Sequence, residues 1–239
     1  MRTPLKKGTR RSQAGLTLIE VLVTMIIMSV ISTMLVMGWL SLQRSYAFTR
    51  TTNAARATAR DALDRMASDL RASQPPSSAS TATQWIFTTP GCTATTCVFY
   101  SAYNNFAAPD GTGFAQVKPS ELWLDTSGST PQKTFKLTRD MNNNLVFGDA
   151  GDRTTILATN VVNTATSVNR NIFKYYFRDT ITGVWSHAST ISNVATDANY
   201  YGNLRNIQIE LVVDANLSHS PTYVDLRTTV RPRNAAAAN

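Results

Sequence analysis

The chain contains an uncharged stretch, Val21 to Gln43, that constrains its fold more than any other feature. Its 23 positions exceed the roughly 20 apolar residues that a helix needs to cross a bilayer. A small pair, Ala14-Gly15, precedes this stretch, whereas an ordinary secretory signal has its small-residue cleavage site after the apolar region. Cleavage after Gly15 would therefore leave a mature protein that begins with its own hydrophobic helix.

Residues 15–22 read Gly-Leu-Thr-Leu-Ile-Glu-Val-Leu, and they resemble the type III signal of type IV prepilins and type II secretion pseudopilins. The resemblance implies that a prepilin peptidase cuts after Gly15 and that the new N-terminal residue, Leu16, is N-methylated. It also implies that Glu20 is the acid used in assembly. Phe is commoner than Leu at the position of Leu16, and many major pilins carry a proline partway down the helix, where this chain has none.

The predicted leader, residues 1–15, carries most of the positive charge of the chain. It contributes +5 of the formal net charge of +8, so the mature 224 residues (239 − 15) keep about +3 (8 − 5). Lysine and arginine before a membrane span favour the cytoplasmic side, which predicts that the bulk of the protein lies outside the cytoplasm. The excess of basic residues therefore predicts how the chain is oriented in the membrane and does not indicate binding of nucleic acid. The leader cations are Arg2, Lys6, Lys7, Arg10 and Arg11.

Glu20 is the first acidic residue of the chain and stands at the start of the apolar helix. An ionisable group in a membrane segment is costly, and by default it indicates a functional site with a partner. After cleavage the Leu16 amine would be four residues away, about one helical turn. The resemblance implies that Glu20 pairs instead with the amine of a neighbouring subunit and sets the register of the filament. The alternative is that Glu20 sits at the lipid headgroups and needs no partner.

Residues 46–72 extend the helix beyond the membrane, because they are rich in Ala, Arg, Asp, Leu and Met and contain no Gly or Pro. An apolar stripe at helical spacing predicts packing on a globular head, and proline ends the helix after Ser73. We expect one helix over residues 16–72, or two helices with a bend near Gly38. The stripe consists of Ala55, Ala59, Ala62, Met66 and Leu70, and the solvated side is expected to carry the pairs Arg60–Asp64, Asp61–Arg65 and Arg65–Asp69.

The remaining chain predicts a β-rich head, which gives an α+β, pilin-like fold class: a long N-terminal α-helix, transmembrane in its first half, packed on an antiparallel β-sheet. Alternation is clearest in Leu204–Asp214, and a polar turn then predicts a hairpin with Tyr223–Arg231. Further strands are expected at 85–88, 98–100, 122–124, 134–138, 145–147, 173–177 and 184–185. The predicted organisation is leader 1–15, transmembrane and assembly half of the helix 16–43, amphipathic half 44–74, globular head 75–233 and disordered tail 234–239.

Several head segments also resemble those of PilW-type minor pilins and J-type minor pseudopilins, in the same order along the chain. This second resemblance implies a minor, low-copy subunit at or near the filament tip, where such subunits prime assembly, rather than the main building block. The segments are 60–71, 134–139, 156–161, 173–179 and 230–234.

Cys92 and Cys97 are the only cysteines, and four residues separate them in an expected hairpin loop. Two close cysteines outside the cytoplasm usually oxidise, and closing so short a loop adds about 2 kcal/mol in the chain-entropy treatment. Free thiols or a pair of metal ligands are the alternatives. A metal site would need two more ligands, and the chain has only His187 and His219 to offer as histidines. We therefore predict a disulfide.

The sequence predicts no catalytic residue, no cofactor and no metal site. Ser186-His187 are neighbours on an expected strand and so face opposite sides, which does not suit a catalytic triad. Residues 148–152, Gly-Asp-Ala-Gly-Asp, lack the Lys-Ser/Thr of a phosphate-binding loop, and they form either a calcium-binding turn or a solvated one. The aromatic residues are interpreted either as a stacking surface for DNA or as packing; they are Trp85, Tyr100, Tyr103, Trp123 and Tyr200.

We expect a non-enzymatic subunit of a type IV pilus, held as a single-pass protein of the cytoplasmic membrane before it enters a pilus or pseudopilus. Its implied partners are prepilin peptidase, other pilins or pseudopilins through the N-terminal helix, the cytoplasmic membrane and an inner-membrane assembly platform. Nucleic acid is not an expected partner. The alternatives are a minor pseudopilin of a type II secretion system, a pilus subunit that binds DNA or a surface, and a membrane-tethered binding or catalytic head that reuses the signal.

Overall fold

The computed structural model describes residues 17–73, 91–101, 118–128, 132–142, 144–179, 182–188, 204–215 and 222–232. The chain divides into two compact units, Met1–Thr49 and Arg50–Asn239. One helix, α1 (Leu18–Arg71), contributes residues to both units. The predicted leader, the predicted strand 85–88 and the predicted tail 234–239 lie outside the described residues.

The first unit is described only as helix α1, and every described residue in it is exposed. The helix continues through Gly38 without interruption, so the chain forms one helix rather than two. Three hydroxyls, those of Thr24, Ser29 and Thr33, donate to carbonyl oxygens three or four residues earlier at 2.8 Å. Their donors are thereby satisfied inside the helix, which is what a helix in lipid requires of its polar groups.

In the second unit, α1 packs against a sheet through the predicted apolar stripe. Ala59, Ala62, Met66 and Leu70 are buried, and Ala55 is partly buried against the same core. The spacing of three to four residues places these side chains on one helix face. The predicted stripe is therefore confirmed.

The sheet of the second unit is antiparallel throughout the described residues. Its strand order is β1-β2-β3-β4-β7-β5-β6, and β8 pairs with β7. The strands are β1 (Thr96–Ser101), β2 (Lys118–Asp125), β3 (Lys133–Arg139), β4 (Arg153–Val161), β5 (Phe173–Arg178), β6 (Trp185–Ala188), β7 (Leu204–Asp214) and β8 (Tyr223–Val230).

The sheet consists of two ladders, β1–β4 and β5–β8, that meet at a single residue pair, Val161 opposite Val213. Beyond that pair, the side chain of Asn163 takes the place of a strand along β7. Its Nδ2 donates to the Glu210 carbonyl at 2.9 Å, and its Oδ1 accepts from the Val212 amide at 2.8 Å. Asn163 is fully buried, so this amide satisfies backbone groups that water cannot reach.

The core crosses the junction between the two ladders. Phe135 on β3 and Phe173 on β5 are fully buried, with ring centroids 6.1 Å apart, and Tyr175 lies 6.4 Å from Phe173. The Tyr175 hydroxyl donates to the Thr93 carbonyl at 3.0 Å. Burial raises the pKa of Tyr175 well above its ordinary value, so the phenol stays a hydrogen-bond donor.

Most of the strand predictions inside the described residues are confirmed. Leu204–Asp214 is β7, and it pairs with β8 as the predicted hairpin. Phe173, Tyr175 and Phe177 are the buried positions of β5, as the alternation indicated. Strand β4 was not predicted.

The predicted strand at 145–147 is wrong, because these residues belong to a loop. The Asp140 carboxylate accepts the backbone amides of Asn144 at 3.3 Å and Leu145 at 2.6 Å, which turns the chain. Leu145 has a φ of 62°, in the left-handed region, and its side chain is exposed. Three apolar residues in a row therefore do not form a strand here.

The prediction for Asp69 is also wrong: its carboxylate is buried rather than solvated. Asp69 Oδ1 accepts from Arg139 Nη2 at 2.6 Å, and Oδ2 accepts from Arg65 Nε at 3.0 Å. The pair predicted within the helix thus exists, but a cation from β3 turns the carboxylate inward. The result is an ion pair that joins α1 to the sheet inside the second unit.

Candidate assembly site

The first turn of α1 is organised by Thr17. The Glu20 backbone amide donates to the Thr17 carbonyl at 3.0 Å and lies 3.4 Å from Thr17 Oγ1. Thr17 therefore occupies the N-cap position and Glu20 the third helical position. Thr-x-x-Glu is the sequence pattern of a capping box, so the residues alone could have revealed this cap. The acidic side chain also lies at the positive end of the helix dipole, where negative charge is stabilised.

Glu20 is exposed and has no ion-pair partner among the residues that the structure describes. The next charged residue along the helix is Arg44, more than six turns away. A partner for this carboxylate therefore lies outside the described residues, in this chain or in another molecule. Gly15 and Leu16, the predicted cleavage and methylation positions, lie outside the described residues.

The helix around Glu20 exposes mainly apolar side chains, with Thr17 and Thr24 on the face of Glu20 itself. Leu18 is 84% exposed, and Ile19 and Leu22 are also exposed large hydrophobic residues. A helix that is hydrophobic all round suits an apolar environment such as a membrane or a protein core. α1 is the one described helix that is long and apolar enough to cross a membrane.

The predicted disulfide between Cys92 and Cys97 is present in the structure, and both residues are fully buried. The ring that it closes presents backbone carbonyls to both ladders. The Ala94 carbonyl accepts from the Ile172 and Phe173 amides at 2.8 and 3.0 Å, and the Leu124 amide donates to Thr95 at 3.2 Å. The disulfide loop therefore connects β2 of one ladder with the start of β5 in the other.

Residues 148–152, for which the sequence predicts either a calcium-binding turn or a solvated one, take part in a network of hydrogen bonds. Asn142 Nδ2 and Asn144 Nδ2 donate to the Asp149 carboxylate at 3.0 and 2.6 Å, and the Gly148 amide donates to Asp152 at 2.7 Å. The bonds from Asn144 and Asn142 lower the pKa of Asp149. Within the described ranges, no group of three or more His, Cys, Asp or Glu side chains is placed to hold a metal.

Among the remaining candidate residues from the sequence, Ser186 and His187 lie on β6 and Trp123 lies on β2. Ser186 and His187 are both exposed on β6. Trp123 donates through Nε1 to Thr138 at 3.0 Å, and Lys136 Nζ lies 5.0 Å from its ring centroid. This indole is therefore engaged within its own ladder. Trp85, Tyr103, Tyr200 and His219 lie outside the described residues.

The fold and the N-terminal segment can be compared with known proteins. An apolar N-terminal helix that continues into the helix packed on an antiparallel sheet is an α+β, pilin-like fold. Residues 10–36 match the family described as the prokaryotic N-terminal methylation motif, which is the signature of type IV prepilins and pseudopilins. The N-terminal segment therefore carries the signature of type IV prepilins and pseudopilins, and this motif supports a pilin-like or pseudopilin-like subunit. Neither a curated protein nor a solved structure matches the chain.

Proposed function

We propose that the protein is a minor pilin-like subunit that prepilin peptidase cuts after Gly15 and that enters a type IV pilus through α1. Before assembly it is held in the cytoplasmic membrane with its C-terminal head outside, as the basic leader favours. An inner-membrane assembly platform then moves it into the filament, where it sits at or near the tip and initiates assembly. Removal of the leader leaves Leu16 as the N-terminal residue, which is then methylated.

The observation that carries this proposal is the single carboxylate in the first turn of an apolar helix. When the helix is packed in the apolar core of a filament, a charged group on it costs several kcal/mol unless it is paired. No cation occurs between Glu20 and Arg44, so the helix cannot neutralise its own acid. The amine created by cleavage before Leu16 supplies the missing charge. In a filament, that amine on one subunit meets Glu20 of its neighbour and fixes the axial register.

The assignment as a minor subunit rests on the second resemblance alone. Its segments include 134–139 on β3, 156–161 on β4 and 173–179 on β5, the strands on either side of the junction between the ladders. A minor pseudopilin of a type II secretion system would use the same helix chemistry. Deletion separates the two, because loss of pili indicates a pilin and loss of protein export indicates a pseudopilin.

The experiment that tests processing is the intact mass and N-terminal sequence of the membrane-extracted protein, made with and without active prepilin peptidase. We expect loss of residues 1–15 and an N-terminal Leu16 that carries one methyl group, only when the peptidase is active. An uncut chain in the presence of the peptidase would contradict the proposal. Removal of the whole apolar segment would make it a secretory signal.

The experiment that tests assembly is replacement of Glu20. Glu20→Ala and the isosteric Glu20→Gln remove the charge, while the cap from Thr17 uses only the backbone amide of residue 20 and is kept. We expect normal cleavage but at least about a tenfold lower ratio of filament to membrane protein, as for loss of one desolvated charge contact. Sheared filaments and membranes are compared by immunoblot. Normal incorporation of both variants would contradict the assembly role.

A further inference from the structure

The outer end of the apolar stretch carries two aromatic residues and one cation, which we call the interface belt: Trp39, Arg44 and Tyr46. All three are exposed on α1, Trp39 by 63% and Tyr46 by 75%. Tryptophan and tyrosine are enriched where membrane meets water, because their rings are apolar and their N–H or O–H is polar. Trp39 and Tyr46 are seven residues apart, so they lie on nearly the same helix face.

The spacing along α1 matches the dimensions of a bilayer. From Glu20 to Trp39 the helix rises 19 residues, about 28 Å at 1.5 Å per residue, close to the roughly 30 Å of the hydrocarbon core. From Trp39 to Arg44 it rises about 7.5 Å, comparable with one headgroup layer of roughly 5–7.5 Å. With Glu20 at the cytoplasmic boundary, Arg44 therefore reaches the depth of the phosphates in the opposite leaflet.

No carboxylate in the described part of the chain neutralises the charge at this depth. Arg44 has no ion-pair partner among the residues that the structure describes. The sequence contains no acidic residue between Glu20 and Asp61, while Arg50, Arg56 and Arg60 follow Arg44. A guanidinium presents a planar fork of donors that fits phosphate oxygens. Charge and depth together complement an anionic headgroup.

We propose that Arg44, flanked by Trp39 and Tyr46, binds the headgroup of an anionic phospholipid in the outer leaflet of the cytoplasmic membrane. The contact holds the subunit at a defined depth before assembly and is broken when the subunit is extracted into the filament. The proposal rests on the proposed function in that it requires the membrane-held form of the protein, with its C-terminal head outside the cytoplasm.

The test measures which lipids surround Trp39 in the full-length processed protein. The protein is reconstituted into vesicles of phosphatidylcholine and phosphatidylglycerol at one fixed ratio, with bromine on one lipid or on the other. Brominated chains quench tryptophan on contact, and subtraction of the Trp39→Phe signal removes the contribution of the other tryptophans. We expect phosphatidylglycerol to be enriched about fivefold around Trp39, the ratio expected for one interfacial cation, and less so at high salt.

Three variants make the result specific to Arg44. Arg44→Gln should abolish the enrichment, whereas Arg44→Lys should keep most of it because the charge remains. The matched control, Arg56→Gln, removes the same charge twelve residues further along and should leave the enrichment unchanged. Equal quenching by both lipids in the wild-type protein, or an equal loss in Arg56→Gln, would overturn the proposal but leave the proposed function intact. Absence of any Trp39 quenching would instead contradict the membrane-held form itself.

Discussion

Replacement of Arg139 by methionine is expected to destabilise the head by about 3 kcal/mol at neutral pH. The ion pair between Arg139 and Asp69 is buried, with side-chain exposures of 14% and 0%. Loss of one partner of such a pair costs roughly 3–5 kcal/mol because the other charge is left uncompensated. The lower end applies, since Asp69 keeps its bond to Arg65. The buried Arg139 Nε, which has no hydrogen-bond partner among the described residues, also disappears.

The matched control is Arg153→Met. Arg153 stands directly opposite Arg139 in the β3–β4 register, but it is exposed. Its replacement should change stability by less than about 0.5 kcal/mol. Thermal unfolding of the full chain in detergent, followed by near-ultraviolet circular dichroism, measures both variants. The expected fall in Tm is about 6–12 °C for Arg139→Met, at 2–4 °C per kcal/mol, and about 1–2 °C at most for Arg153→Met.

The pH dependence gives a second signature of the same pair. Burial raises the pKa of Asp69, while Arg139 and Arg65 oppose the shift. A carboxyl with a raised native pKa adds stability when it is protonated, and that contribution is lost as pH rises through the raised value. Without Arg139 the pKa rises further, so the deficit of Arg139→Met should shrink as pH falls. Equal Tm values for the two variants at neutral pH, or a deficit that is independent of pH, would refute the reasoning.

Two further predictions concern other parts of the head. Cys92→Ala combined with Cys97→Ala should lower the free energy of unfolding by about 2 kcal/mol, and wild-type protein under reductant should show the same urea midpoint; an unchanged midpoint would contradict a stabilising disulfide. Hydrogen bonds from Lys136 and Ser127 lower the pKa of Asp125. The ionised carboxylate therefore stabilises the head at pH values above its ordinary pKa, and this stabilisation is lost as pH falls through the lowered pKa. In Lys136→Met, the free energy of unfolding from urea titrations should therefore fall less steeply between pH 6 and pH 2 than in the wild-type protein. An identical pH profile in the two proteins would contradict the role of this pair.

The helix could be predicted from the sequence because its signals are local. An uncharged stretch of membrane length, a stripe at helical spacing and the absence of proline all act within a few residues of one another. The observed helix, Leu18–Arg71, lies one or two residues inside the predicted bounds. The place of Glu20 follows from a short motif in the same way. Its partner could not be predicted from one chain, because the pairing that the resemblance implies joins two subunits.

The errors arose where distant residues decide the structure. The sequence shows the pairing of Asp69 with Arg65 on the same helix, which predicts a solvated carboxylate. It does not show the pairing with Arg139, which is seventy positions away. Strand β4 begins with a polar, exposed run and takes its conformation from pairing with β3 rather than from alternation. Residues 145–147 are apolar, which predicts a strand. The hydrogen bonds to the Asp140 carboxylate that turn the chain there leave no trace in the hydrophobic pattern.

Whether the disulfide between Cys92 and Cys97 forms depends on the redox state of the compartment that contains the head. Disulfides persist in oxidising compartments and are rare in reducing cytosol. A head retained in the cytoplasm would lack the covalent ring between Cys92 and Cys97, whose carbonyls join the two ladders. The contacts between its described ladders would then be the Val161–Val213 pair, the Val162 amide that donates to the Val212 carbonyl, the Asn163 side chain, core packing and a loop that no covalent bond closes. A head in which the bond between Cys92 and Cys97 is oxidised should therefore resist unfolding and proteolysis better than the same head with reduced cysteines.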